Sequence, residues 1–162
     1  MRRPIQWGKK MNKYAKDPQE LRRICANLTF AKQLGLIDDD SLEAAEERCR
    51  QENARRGEKL AAGEVVYGLT AYPLPAYLQY ELTRLKLDFV QPCEKVREGG
   101  YCPDFTEQEK RDFYEQNRDL FGRYHGDYFT YEEVSQIIEK RLREDAYDKL
   151  ICDILCESEN RQ

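Results

Sequence analysis

Val134, Ile137, Ile138, Leu142, Ala146, Leu150, Ile151, Ile154 and Leu155 recur at helical spacing along a stretch without Pro or Gly that runs from Tyr131 to about Glu157. At about 1.5 Å per residue such a helix spans roughly 40 Å. All nine side chains are expected to face inward, and an apolar stripe of that length needs partners throughout. Composition supplies them: 36% of the 162 residues are charged and 40% hydrophobic, the balance of amphipathic helices with charged wet faces. A chain of this size buries roughly 70% of its unfolded surface, enough for one core. The expectation is an all-α bundle of about five helices with the long C-terminal helix packed back across the earlier ones. The same stripe also suits a homodimer.

Helix starts are legible as capping boxes, in which a side chain at each end of a four-residue unit satisfies an orphaned amide. Asp17-x-x-Glu20, Asp40-x-x-Glu43, Thr106-x-x-Glu109 and Thr130-x-x-Glu133 have this form. The first opens a helix over 18–34, with Pro18 at its first position, Leu21, Ile24, Cys25, Leu28 and Leu34 on one stripe, and Gly35 as its stop. A second helix runs from Leu42 to about Ala62, weakened at Gly57 and ended by Gly63. The β-branched stretch near Val65 to Leu69 reads as a short extended elbow. Pro73 and Pro75 then start a third helix through Leu78, Leu82, Leu85 and Phe89, stopped by Pro92. A fourth helix is expected from Glu107 to Leu120. Six residues, Gly122 to Asp127, bridge it to the last helix. Residues 1–16 carry Arg2, Arg3, Lys9, Lys10, Lys13 and Lys16 without an acid and read as a basic flexible arm, leaving 17–162 as a single helical domain.

The net charge of −4 argues against a nucleic-acid partner, which calls for a clustered basic surface. No stretch approaches the roughly eighteen apolar residues of a membrane span. The basic N-terminus is not followed by a hydrophobic signal core, so a cytoplasmic setting is expected, or an extracytoplasmic one if a leader was removed ahead of residue 1. Six cysteines are too scattered for a disulfide scaffold. Cys93, Cys102, Cys152 and Cys156 are the candidates for a metal site, although no CxxC spacing occurs, and a loop-closing Cys93–Cys102 disulfide is the alternative in an oxidising compartment. No cofactor is implied.

Eleven Tyr, six Phe and one Trp could line a groove for polypeptide, since aromatic side chains give large contact area at low rotamer entropy. Tyr67, Tyr72, Tyr77 and Tyr80 cluster around the elbow and, with Phe89, are the candidate peptide- or partner-binding residues; packing within the bundle is the other reading. His125, the one histidine, lies in a loop and is the sole candidate general base, without a second positioned group at recognisable spacing. Glu52, Asn53 and Arg56 share a helical face, which an intrahelical ion pair explains. Glu132 and Glu133 diverge on a helix and make a poor metal pair.

The block Phe105 to Phe121, with Phe113-Tyr114-Glu-Gln-Asn117-Arg-Asp-Leu-Phe121, resembles the helix that leads into the isomerase domain of SurA/PrsA-type bacterial foldases, and Phe129 to Ile151 looks like the helix that leaves it. Leu34-Gly-Leu-Ile-Asp38, Glu52-Asn53-Ala-Arg-Arg56, Val66-Tyr67-Gly68 and Tyr77-Leu-Gln-Tyr80 match the order of motifs in the helical part of those proteins. The bridge is far too short for a parvulin domain of ~90 residues, since ordinary connections run about 4–6. The resemblance therefore implies a foldase frame without its catalytic domain. Its function would be non-catalytic, chaperone-like binding of unfolded or extended polypeptide; a dedicated protein partner held by an accessory subunit is the alternative, and a small enzyme using His125 a more distant one.

Overall fold

The computed structural model describes residues 13–101 and 103–159. Within them run helices α1 (Pro18–Gln33), α2 (Leu42–Ala61), α3 (Leu74–Val90), the short α4 (Glu94–Glu98), α5 (Glu107–Gln116) and α6 (Tyr131–Glu159). Two 3₁₀ turns, Arg118–Phe121 and Tyr124–Gly126, lie between α5 and α6. No strand occurs among the described residues, only an isolated bridge between Gly122 and Tyr128. The all-α architecture and the long last helix of 29 residues follow the sequence pattern. Most of the proposed N-terminal arm, and Cys102, lie outside the described residues.

Local chemistry explains the helix ends. Asp17 caps α1 by accepting the Glu20 amide, while Glu20 reaches back to the Lys16 amide. Gly35, with φ of 71°, supplies the left-handed turn after α1, and the Leu36 amide closes it on the Ala31 carbonyl. Thr106 and Glu109 form a complete capping box, and Glu133 accepts the Thr130 amide. The box expected at Asp40 is corrected: Ser41 caps α2, accepting the Ala44 amide. Asp40 instead binds Thr29 and Lys32, tying α2 to α1. Gly57 does not interrupt α2, and the fourth helix ends at Gln116, handing over to the 3₁₀ turn.

Two apolar clusters fill the body. One joins Leu21, Ile24, Leu28 and Ala31 of α1 to Ala45 of α2 and Leu78 and Leu85 of α3. The other joins Phe30 and Leu34 to Phe89, Val96, Tyr147 and Ile151, with the Phe30, Phe89 and Tyr147 rings in mutual tilted contact. The Tyr147 hydroxyl donates to Asn27 Oδ1 at 2.6 Å, a buried polar link between α6 and α1. Burial pushes the Tyr147 phenol far above its ordinary value.

A third cluster stands apart. Tyr114, Phe121, Tyr131, Val134 and Ile138 bind α5 and the 3₁₀ turn to the first half of α6 as a small lobe. The long helix therefore changes partners partway: its first turns serve the lobe, and Tyr147 and Ile151 serve the body. Ile137, expected to face inward, is 55% exposed.

Candidate partner-binding surface

Asn53 and Arg56 on α2 hold the elbow that connects α2 to α3. Asn53 pairs with the Tyr72 backbone in both directions, donating to its carbonyl at 2.9 Å and accepting its amide at 2.7 Å. Arg56 is buried and spends its guanidinium on four groups: Glu52 Oε1 at 2.8 Å, the Tyr67 and Leu69 carbonyls at 2.9 and 2.8 Å, and the Tyr72 hydroxyl at 3.2 Å. It also lies 4.6 Å from the Tyr72 ring centroid. Hydrogen bonds from Arg55 and then Arg56 hold the Glu52 carboxyl below the usual glutamate range. Glu52, Asn53 and Arg56 thus do more than pair within a helix; they clamp a loop whose backbone would otherwise be left to water.

That clamp decides which way the elbow faces. Its carbonyls point back to α2, and its apolar side chains are left outside: Val65 is 72% exposed, Tyr67 84% and Leu69 50%. Leu60, in the last turn of α2, is also exposed. The result is a braced apolar patch where an ordinary loop would be polar. Tyr72 is half-buried and stacks on Tyr80 at 5.0 Å. Tyr77 is buried, its hydroxyl donating to Glu81, whose carboxylate Arg48 grips at 2.6 and 3.1 Å. Burial, reinforced by the Glu81 charge, raises the Tyr77 phenol well above its normal value. Phe89 is fully buried. Of the five aromatic candidates, Tyr67 alone presents a whole ring to solvent, while Tyr77 and Phe89 contribute packing.

The bridge after α5 closes on itself. Arg123 donates its amide to the Asp127 carbonyl and Phe129 to that of Phe121, at 2.6 and 2.9 Å. His125 and Gly126 both have positive φ, 74° and 83°, as in mirror-image hairpin turns. His125 is exposed, and its nearest ring neighbour is Tyr124, itself 94% exposed. Beside the bridge, Leu120, Phe121, Phe129, Val134 and Ile137 line a groove of about 440 Å³ with Glu133 and Arg141. Spacing gave no sign of this groove, because its residues come from three separate elements.

Cys93 is half-buried near the body core, while Cys152 and Cys156 are exposed on α6, and Cys102 lies outside the described residues. Among the described residues no group of three His, Cys, Asp or Glu side chains is placed to hold a metal ion. None of the described helices is long and apolar enough to cross a membrane.

No known family model matches the chain. It is 27% identical over 132 residues to a chaperone for lacto-N-biosidase from Bifidobacterium longum subsp. longum, a match that covers 82% of this chain and 45% of that protein. Its fold is similar to part of a GH136 lacto-N-biosidase from Eubacterium ramulus. Against the native crystal structure the TM-score is 0.71 with 29% identity, and against the selenomethionine derivative 0.70 with 30%. Both alignments cover 86% of this chain but only 28% of the solved one. The chain thus spans less than half the length of the curated relative. These matches overturn the resemblance to SurA/PrsA-type foldases. In this chain the residues behind that resemblance have a local structural job: Asn53 and Arg56 hold the elbow, and Gly68, with φ of 80°, turns it.

Proposed function

We propose that the chain is a non-catalytic helical accessory protein that binds one dedicated partner, a catalytic chain of the GH136 lacto-N-biosidase type, and supports its folding. One observation carries this reading. Over most of its length the chain is similar both to a chaperone for such an enzyme and to a stretch of a chain named for the enzyme itself. A unit carried within the enzyme's own chain is compatible with the finished enzyme, so retention as a subunit is favoured over release after folding. The braced patch of Val65, Tyr67 and Leu69 is the proposed contact, because the Arg56 clamp already orders the elbow backbone and leaves chiefly side-chain ordering to occur on binding.

The test is to express a GH136 catalytic chain from the same genome with and without this protein. The expected result is soluble, active enzyme that co-elutes with this chain only when both are present, and weaker co-elution with Tyr67→Asp. Full solubility and activity of the catalytic chain alone, with no co-elution, would end the proposal.

A further inference from the structure

We infer that the groove of the small lobe is a second docking site, one that takes an extended segment of the partner chain carrying a large apolar side chain and an acidic one two or three residues apart. This rests on the partner reading above but concerns a different surface and a defined chemistry.

The groove is built rather than incidental. Leu120 comes from the first 3₁₀ turn, Phe129 from the end of the bridge and Ile137 from α6, and they are 61%, 39% and 55% exposed around a floor of buried Phe121 and Val134. The bridge that brings Phe129 there is held by its own backbone hydrogen bonds, so the concavity exists before anything enters it. Three large apolar side chains bare in one concavity are costly for a monomer and mark a contact surface.

Charge fixes the end of the groove at which the occupant carries its acid. At one end Glu133 is fully employed, accepting the Thr130 amide at 2.8 Å and pairing with Arg123, whose guanidinium lies 4.1 Å from the centre of the Phe129 ring. At the other end is Arg141. Its neighbours on α6 are matched, Lys140 with Glu144 and Arg143 with Glu139. Arg141 pairs with no carboxylate among the described residues. The groove therefore carries one unmatched positive charge, which an Asp or Glu side chain of the occupant would neutralise in a bidentate geometry suited to guanidinium.

Dimensions set the form. From Glu133 to Arg141 along α6 is about 12 Å at 1.5 Å per residue. That distance accommodates three or four residues of extended chain at about 3.3 Å each. A helix, about 10 Å across with its side chains, would lay only one face over a groove of about 440 Å³, whereas an extended segment can enter it with its backbone. The segment is thus strand-like, with its acid two or three residues from the apolar anchor along the chain.

The experiment compares this protein with its Ile137→Asp and Arg141→Glu variants, both altered at exposed positions, for binding to the co-expressed GH136 catalytic chain. Each variant is expected to weaken the complex by roughly tenfold or more. A wild-type complex that neither variant weakens overturns the groove and leaves the partner reading intact. If the wild-type protein forms no complex, the partner reading fails and the groove is judged alone, by nuclear magnetic resonance with the peptide acetyl-Leu-Ala-Ile-Glu-amide and its Lys-ending counterpart. Saturable shifts at Leu120, Val134 and Ile137 for the Glu peptide alone, lost in Arg141→Glu, uphold the groove chemistry; no saturable shift overturns it. Self-association of this chain abolished by Ile137→Asp would mean that a second copy fills the groove, and would also overturn the proposal.

Discussion

The body and the small lobe use the same helix, α6, in different ways. In the body its second half lies against α1 and α3, and Phe30, Phe89 and Tyr147 interlock while Tyr147 completes the hydrogen bonding of Asn27. Nearly all the largest fully buried side chains, Phe30, Phe89, Ile24, Leu28, Leu78 and Val96, belong there. In the lobe only Ile138 reaches that degree of burial, and Leu120, Phe129 and Ile137 stay open. Outside the elbow, where Val65, Tyr67 and Leu69 stay exposed, the body spends its apolar surface on itself, whereas the lobe leaves three large apolar side chains open around one groove. The deepest packing thus lies in the body, and the exposed apolar side chains lie at the elbow and in the lobe.

The contrast breaks most sharply at paired aromatic deletions. Phe30→Ala removes a ring from the body core and should cost about 3–5 kcal/mol, lowering thermal stability of the whole chain. Tyr114→Ala should instead open the lobe: amides of 107–116 and 131–138 exchange quickly in hydrogen-exchange measurements while those of α1 and α3 stay protected. Equal global losses from the two would show that body and lobe are one cooperative unit.

Arg56→Ala tests the elbow. Losing a charged donor from two carbonyls should cost roughly 1.5–3 kcal/mol, with the Tyr72–Tyr80 stack loosened in near-ultraviolet circular dichroism. Acid should act in the same direction. Glu52 titrates below its unfolded value near 4.5, so its contribution is present above that pH and fades as pH falls through the lowered folded-state value. Glu52→Gln should reduce the acid sensitivity of the elbow signal. Within the body, Tyr147→Phe leaves Asn27 Oδ1 without its donor and should cost about 1–3 kcal/mol in chemical denaturation. The smallest effect is expected at the bridge, where His125→Gly relieves a left-handed backbone and should stabilise the lobe by about 1 kcal/mol, read from its local exchange rates.

Much of the body was legible in the sequence because its signals are local. Asp17 with Pro18, Gly35 after Leu34, and Pro73 with Pro75 each mark a helix end by chemistry within a turn. Asp40 misled because Asp40 and Ser41 are both good caps, and only the placement of Thr29 and Lys32 across from Asp40 decides between them. Ile137 misled for another reason: periodicity along one helix assumes one buried face, whereas α6 changes partners between the lobe and the body. The elbow clamp lay half in view, since the spacing of Glu52, Asn53 and Arg56 was visible but the carbonyls that Arg56 reaches are 11 and 13 residues on. The groove was hidden altogether, its walls being brought together only by folding. The family resemblance was misdirected because it rested on short motifs, whereas the similarity that overturns it extends over most of the chain.

Hydrogen exchange of this chain, alone and co-expressed with a GH136 catalytic chain, would show which of its surfaces a partner covers. The expected result is a co-eluting complex in which slowed exchange concentrates at the elbow, residues 65–72, and at the lobe, residues 118–137, with the exposed face around Cys152 and Cys156 unchanged. A complex protected on that face alone, or no complex at all, would contradict it.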